Sequence, residues 1–286
     1  GRIAMSSNYQ ISDQVFNRIS KLVSETIGVN LPDKKKAMVN SRLAKRVRKL
    51  GLADFEEYCS YLQNNDEELV ELYNTLTTNV TKFFRENHHF QFLEQSVFPH
   101  LKQTKDQQKI RIWSAGCSTG EEPYSLAIKL QEFFDTSRWD IKILASDINT
   151  EALETAQQGI YTAEQVQQIP YQQLKKYFKL RQTDQEKLFK VKDKLKEMIL
   201  FKRINLNPKT SYPIKSALDF IFCRNVFIYF TPETRQKILD QFYHHLKAEG
   251  GYLFLGHSES IKQTGEHPNQ WQAVEKTTYQ KIATTN

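Results

Sequence analysis

Cysteine is scarce in this chain of 286 residues: there are three, Cys59, Cys117 and Cys223, far apart in the sequence. Scattered thiols supply neither a disulfide framework nor a zinc site, so no metal is expected and a reducing cytoplasm is the expected compartment. Long apolar runs are missing as well. Nothing approaches the ~20 residues needed to cross a bilayer, and no signal peptide opens the chain, so direct membrane insertion is not expected. Gly1 to Ala4, ahead of Met5, reads as the remnant of an expression tag. Nor does any metal-ligand cluster or obvious catalytic triad stand out.

What remains is the composition of a soluble globular protein, 39% hydrophobic and 26% charged, with length enough for a sizeable core and two domains. The formal net charge of +7 and the pI near 9.1 point to an anionic partner, nucleic acid among the candidates.

The most informative stretch is Ile110 to Leu126. Ile110 to Trp113 is β-prone, Ser114 to Gly120 is a small-residue turn, and Glu121-Glu122-Pro123 reads as the first turn of a helix. Strand, glycine turn and helix open a nucleotide-binding βαβ unit, in which glycines let a ligand approach the backbone and the helix N-terminus offers free N–H groups. An ordinary βα loop has the same outline. The turn departs from G-x-G-x-x-G, which argues against a dinucleotide dehydrogenase.

Ahead of it, Ser12 to Ile27 patterns as an amphipathic helix closed by Gly28, and three further helices follow up to about residue 80. The second carries Lys34, Lys35, Lys36, Arg42, Lys45, Arg46, Arg48 and Lys49 with no acid among them over some fifteen positions. That face is either solvated or a docking surface for something anionic. Thr77 to Arg85 turns hydroxyl- and amide-rich, as a site or as the cap of the next helix. A second strand, Trp139 to Ala145, ends at Asp147, 27 residues after Gly120. An acid there can hold the hydroxyls of a ribose or cap the next helix. A small antiparallel insertion is expected near 176 to 203. Strands at Leu218–Cys223, Tyr252–Leu255 and Thr278–Ile282 then complete a mostly parallel sheet with helices on both faces and polar clusters at its carboxyl ends. His257 reads as core or pocket-wall packing.

Five motifs in order, TTNVTKFFRE, IWSAGCSTGEEPYSLA, ASDIN, FCRNVFIYF and LGHSES, resemble the chemotaxis-receptor methyltransferase (CheR) family. The resemblance implies a helical receptor-docking domain over 8–80. It also implies a class I S-adenosylmethionine-dependent methyltransferase domain, Rossmann-like, over 81–284, with the insertion as its β-subdomain. The implied reaction methylates glutamate side chains on the cytoplasmic helical bundle of methyl-accepting chemoreceptors. It leaves S-adenosylhomocysteine and γ-methyl esters that the chemotaxis methylesterase opposes.

By motif, Asn79, Thr81 and Arg85 would approach the methionine part of the cofactor. Glu122 with Ala115 and Gly116 would line its amino-acid end, Asp147 would hold the ribose, Asn205 and Leu206 would flank the adenine, and Arg224 and Asn225 would close the pocket. Arg85 and Tyr229 would lie nearest the transferring methyl. Lys35, Arg42, Lys45, Arg46, Arg48 and Lys49 would dock on receptor. The loop Lys179 to Glu186 lacks the glycine with which some members grip a receptor pentapeptide, so a pentapeptide-independent enzyme recruited to receptor arrays is expected. The alternatives are an RNA methyltransferase, which would want an aromatic-lined base pocket or an RNA-binding module, neither of which is evident, and a non-catalytic cofactor sensor.

Overall fold

The computed structural model describes residues 9–262 and 269–283. The expected tag remnant at Gly1 to Ala4, the expected domain start at residue 8 and the expected end at residue 284 lie outside the described residues.

The chain begins with helices α1 (Asp13–Ile27), α2 (Lys36–Lys49), α3 (Phe55–Asn64) and α4 (Glu68–Leu76). Ser12 caps α1 by accepting from the Val15 amide at 3.1 Å, and Gly28 ends it at φ +75°. Asp54 accepts from the Glu57 amide at 2.9 Å while the Glu57 carboxylate reaches back to the Ala53 amide at 2.7 Å. That is a reciprocal cap, displaced by one residue on its return bond. Val15, Ile19 and Val23 of α1, Val39, Leu43 and Val47 of α2, and Tyr58 and Leu72 from α3 and α4 fill one shared core. Each helix contributes a single apolar stripe, so none could bury its own face alone.

Helices α5 (Asn87–Phe92) and α6 (Phe98–Thr104), joined by a widened turn at Leu93–Val97, lead into β1 (Lys109–Ala115). There follow α7 (Glu121–Phe133), β2 (Asp140–Asp147), α8 (Thr150–Gln158), β3 (Ile160–Thr162), α9 (Tyr171–Tyr177), β4 (Phe178–Gln182), β5 (Lys187–Val191), α10 (Asp193–Lys196) and β6 (Ile199–Arg203). The chain closes with β7 (Phe220–Cys223), α11 (Pro232–His245), β8 (Tyr252–Leu255), β9 (Trp271–Glu275) and β10 (Thr278–Lys281).

The main sheet has the order β6-β2-β1-β7-β8-β10-β9. Neighbours are parallel from β6 to β8, and β10 runs antiparallel to both β8 and β9. Its central strands β1, β7 and β8 are buried at successive positions, so the sheet is covered on both faces. Ile110 and Ile112 of β1, with Phe220 and Phe222 of β7, point into a core that includes Leu126 and Leu130 of α7. Trp113, Ile221 and Leu253 point the other way, against Ile238 and Phe242 of α11. From β1 the chain crosses to β2 on one side and later to β7 on the other. The carboxyl ends of these three strands therefore border a topological switch point.

Two details differ from the sequence reading. The antiparallel subdomain is β3-β5-β4 and so begins at Ile160, whereas Ile199–Arg203, placed at the end of the insertion near 176 to 203, pairs in parallel with β2 in the main sheet. Strand character is written in residue type, but the choice of pairing partner is not. The hairpin strand Trp271–Glu275, at the sheet edge, was not anticipated.

Candidate active site

A cleft with about 1040 Å³ of atom-free space, part of it open to solvent, lies over the carboxyl ends of β1, β2 and β7. It receives Gly116, Ser118 and Glu122 from the β1–α7 turn, Asp147 and Ile148 from the end of β2, and Ile204, Asn205 and Leu206 from beyond β6. The segment after β7 contributes Arg224, Asn225, Val226, Tyr229 and Phe230. Thr77 to Thr81 and Arg85 close a further side, and Ile27 and Val29 arrive from the end of α1.

The turn after β1 is built for close approach. Gly116 has φ +80°, and a Cβ on it would lie 2.6 Å from Val226 Cγ2. Asp147 anchors the turn: its two carboxylate oxygens accept the Ser118 and Asn149 amides, each at 2.8 Å. Helix α8 is capped by Asn149, which accepts from the Ala152 amide at 3.0 Å, so Asp147 is not spent as a cap. Its carboxyl pKa is raised by burial, against the lowering effect of the backbone N–H groups.

Behind the cleft is a buried ionic cluster centred on Arg224. Its Nε donates to Glu122 Oε2 at 2.9 Å, and its Nη1 donates to the Arg85 carbonyl at 2.6 Å. Glu122 Oε1 accepts from Ser114 Oγ at 2.7 Å, and Glu86 Oε2 lies 3.5 Å from Arg224 Nη1. The guanidinium also sits over the rings of Phe222 and Phe90, 5.0 and 5.5 Å from their centroids. His89 Nδ1 is 3.2 Å from Nη1, while its Nε2 is 2.8 Å from Thr277 Oγ1. With a cation on one side, Nδ1 is the acceptor and Nε2 carries the proton. Burial, then the Arg224 charge, lowers the His89 pKa to about 3.

Arg224 and Asn225 are followed by a tight loop. Asn225 holds φ +63°, and Gly256 packs so closely that a Cβ there would fall 2.5 Å from Asn225 Oδ1. The buried carboxylate of Glu259 accepts from the Asn225 amide at 2.6 Å and the Gly256 amide at 2.8 Å. Glu259 lies inside the LGHSES stretch, where the sequence singles out only His257. His257 is exposed and does not line the cleft, which corrects its placement as core or pocket wall: the chain leaves the sheet at Gly256 and turns the ring to solvent.

Of the residues implied for cofactor and methyl, Asn79, Thr81, Arg85, Gly116, Glu122, Asp147, Asn205, Leu206, Arg224, Asn225 and Tyr229 all line the cleft. Ala115 does not; it is fully buried in the core beneath it. The Asn205 amide donates to the Thr26 carbonyl at 2.7 Å, and Asn207 donates to the Glu25 and Thr26 carbonyls, each at 3.1 Å. These bonds cap the end of α1 and bring Ile27 and Val29 to the cleft. No local signal in the first thirty residues predicts that contact.

The basic face is more engaged than its sequence suggested. Arg46 forms a forked pair with the buried Glu68 of α4, at 2.8 Å from Nε and 2.6 Å from Nη2. Lys36 pairs with Asp13, Arg48 sits 5.4 Å over the Tyr9 ring, and Arg42 bonds to the end of α4. The acids missing from α2 itself are supplied across helix–helix contacts. Lys35, Lys45 and Lys49 are exposed. Arg42, Lys45, Arg46 and Lys49 border a shallow depression with Glu71, Thr75, Thr77 and Glu151.

Family models match most of the chain. "CheR methyltransferase, all-alpha domain" covers residues 14–77, and "CheR methyltransferase, SAM binding domain" covers residues 79–279. A chemotaxis protein methyltransferase of Escherichia coli is 42% identical over 91% of this chain and 88% of its own length. One from Borreliella burgdorferi is 39% identical over 89% of this chain and 91% of its own length. One from Salmonella typhimurium is 41% identical over 91% and 88%. The cleft's donors fit the cofactor named by the matching domain, with a carboxylate at the end of β2, apolar walls from Ile204 and Leu206, and a glycine turn at the helix start. The chain belongs to the CheR methyltransferase family and is an S-adenosylmethionine-dependent methyltransferase, with a helical domain ahead of a Rossmann-like domain of class I type.

Proposed function

We propose that this enzyme methylates glutamate side chains on the cytoplasmic helical bundle of chemoreceptors, forming γ-glutamyl methyl esters that the chemotaxis methylesterase would remove. The observation that carries the reading is one cleft lined together by Arg85 and Tyr229, both half-buried, and by Asp147 and Glu122, with the exposed lysines of α2 on the same molecule. In this reading the enzyme is cytoplasmic, is drawn to membrane receptor arrays and takes no nucleic-acid partner.

In this reading Asp147 holds the ribose hydroxyls, Leu206 and Ile204 pack the adenine, and Glu122, Gly116, Asn79 and Thr81 receive the amino-acid end. S-Adenosylmethionine supplies an electrophilic methyl on a sulfonium centre. A glutamate carboxylate is already ionised at neutral pH, its ordinary pKa being ~4.3, so no residue need remove a proton. The glutamate oxygen gains the methyl, the electron pair of the broken bond stays on sulfur, and no proton is released. The task of the protein is therefore to orient the two partners and exclude water, and orientation alone can be worth ~7–11 kcal/mol.

Arg85 suits positioning. Its Nη1 donates to the Val80 carbonyl at 2.7 Å, which ties the guanidinium to the cleft wall. A cation clamped on the nucleophile would oppose the loss of charge along the reaction, so Arg85 binds and orients, while the Tyr229 hydroxyl can donate one hydrogen bond without a full charge. Tyr229 is itself set by a tight turn whose carbonyl accepts from the Asn30 amide at 2.7 Å.

The β4–β5 loop supports action without a receptor pentapeptide. Thr183 closes it, its amide donating to the Glu186 carbonyl at 2.9 Å and its Oγ1 accepting from the Glu186 amide at 3.1 Å. No residue from 183 to 186 has positive φ. The deciding experiment is transfer of labelled methyl from S-adenosylmethionine to receptor-containing membranes, with and without the receptors' C-terminal tails. Base-labile label independent of the tail is expected. Loss of label on removing the tail would overturn the tail-independent reading. No receptor label from enzyme that binds S-adenosylhomocysteine would overturn the substrate.

A further inference from the structure

Arg42 sits among the basic residues of α2 and borders the basic depression, yet its guanidinium bonds to a segment that lines the cofactor cleft. Nη1 lies 3.1 Å from the Leu76 carbonyl and 3.4 Å from that of Thr77, and Nη2 donates to Thr78 Oγ1 at 3.2 Å. Leu76, Thr77 and Thr78 are all cleft-lining residues. Leu76 ends α4, and the last carbonyls of a helix have no intrahelical partner, so a cation there satisfies them and complements the helix dipole. The same stretch is gripped from the other domain: Asn149 donates to Thr77 Oγ1 at 2.9 Å, and Asn74 exchanges bonds with Thr150 at 2.9 and 3.0 Å. Thr77 borders both the cleft and the basic depression, and is the partition between them.

We infer that Arg42 is a positioning residue of the cofactor site: it fixes the end of α4 and, through it, the Thr77–Thr81 wall of the cleft. This rests on the cleft being the cofactor site and gives one member of the supposed docking face a different task. The wall it holds carries Asn79 and Thr81 and ends four residues before Arg85, whose own guanidinium is tied to Val80. Loss of the Arg42 bonds leaves the segment held from the α8 side, by Asn149 and Thr150, so the cost appears in cofactor binding. An exposed lysine of the same face has no such bond.

The test is calorimetric titration of S-adenosylhomocysteine into the full chain and into Arg42→Ala, Arg42→Lys, Thr78→Val, the Arg42→Ala/Thr78→Val double variant and Lys45→Glu. Arg42→Ala should weaken affinity roughly tenfold, the worth of one to two net hydrogen bonds, at unchanged stoichiometry. The KM for S-adenosylmethionine should rise while kcat stays within about twofold, because the wall binds cofactor in ground and transition state alike. Arg42→Lys should recover part of the loss. Thr78→Val should lose less, and nothing further in the Arg42→Ala background, as two ends of one bond require. Lys45→Glu should bind as the parent does. Unchanged affinity in Arg42→Ala, or a fall in stoichiometry alone, would overturn the inference and return Arg42 to the docking face or to a purely structural part. Failure of the parent to bind would overturn the cleft assignment, and this role with it.

Discussion

Arg224 and Glu122 form a salt bridge of 2.9 Å beneath the cleft, with 3% and 8% of their side-chain surfaces exposed. A buried pair of this kind is weak evidence of stabilisation in itself, but removal of one partner leaves an uncompensated charge. Arg224→Ala should therefore cost roughly 3–5 kcal/mol of folding stability, because Glu122 and Glu86 would both lose their cation. Arg224→Lys should recover little, since an ammonium cannot reach Glu122 and the Arg85 carbonyl as a fork does. Urea denaturation of the two variants against the parent checks this. An Arg224→Ala protein as stable as the parent would mean that the cluster does not organise the cleft.

Asp147 supplies a second prediction. Asp147→Ala should weaken S-adenosylhomocysteine roughly ten- to hundredfold, the range of a hydrogen bond to a charged acceptor. Helix α8 should remain, because its cap is Asn149. Titration calorimetry gives the affinity and circular dichroism the fold. Unchanged affinity would remove the ribose assignment.

How far the sequence could be read depends on whether the information was local. The small-residue turn, the acid ending β2 and the Arg224-Asn225 stretch were legible because strand ends in a parallel sheet converge on one crevice whatever surrounds them. Ile27 and Val29 were not, because the cleft receives them through long-range contacts, the Asn205 and Asn207 caps on α1 and the bridge of Val29 to Phe230, about 180 to 200 residues away. The pairing of β6 with β2 was hidden for the same reason. Glu259 was hidden because a carboxylate that binds backbone amides has no sequence pattern to set it apart from a surface acid.

The basic face is a case in which a local pattern misled, and it yields a third prediction. Arg46 is bonded to Glu68, 3% exposed, which also accepts from the Tyr58 hydroxyl at 2.9 Å. Its hydrogen bond to Glu68 raises the Arg46 pKa, so the guanidinium stays charged at any working pH. Arg46→Glu would oppose two carboxylates in a helical core and should destabilise the protein by roughly 3–5 kcal/mol. It is therefore a poor probe of docking. Lys45→Glu with Lys49→Glu, both exposed, should change stability by no more than about 0.5 kcal/mol and yet lower receptor methylation without altering cofactor affinity. Methylation at the parental rate by that double variant would make the face a merely solvated one.

A fourth prediction concerns acid. His89 has its pKa lowered to about 3 in the folded protein by burial and by the Arg224 charge, whereas an exposed histidine titrates near 6.5. Below about pH 6.5 the unfolded chain takes up a proton at this residue that the folded protein refuses. Its contribution to stability is thus fully present above pH 6.5 and falls as the pH drops towards 3, by up to about 1.4 kcal/mol per pH unit. Carboxylates elsewhere titrate in the same range, so the comparison must be with a variant that lacks only this group. His89→Gln retains a hydrogen-bonding side chain but cannot be protonated. Between pH 6 and 4 the parent should lose stability more steeply than His89→Gln in urea denaturation series, with the two slopes converging above pH 7. Parallel slopes throughout would mean that His89 accepts a proton in the folded state, and the assignment of Nδ1 as the acceptor for Arg224 would fall with it.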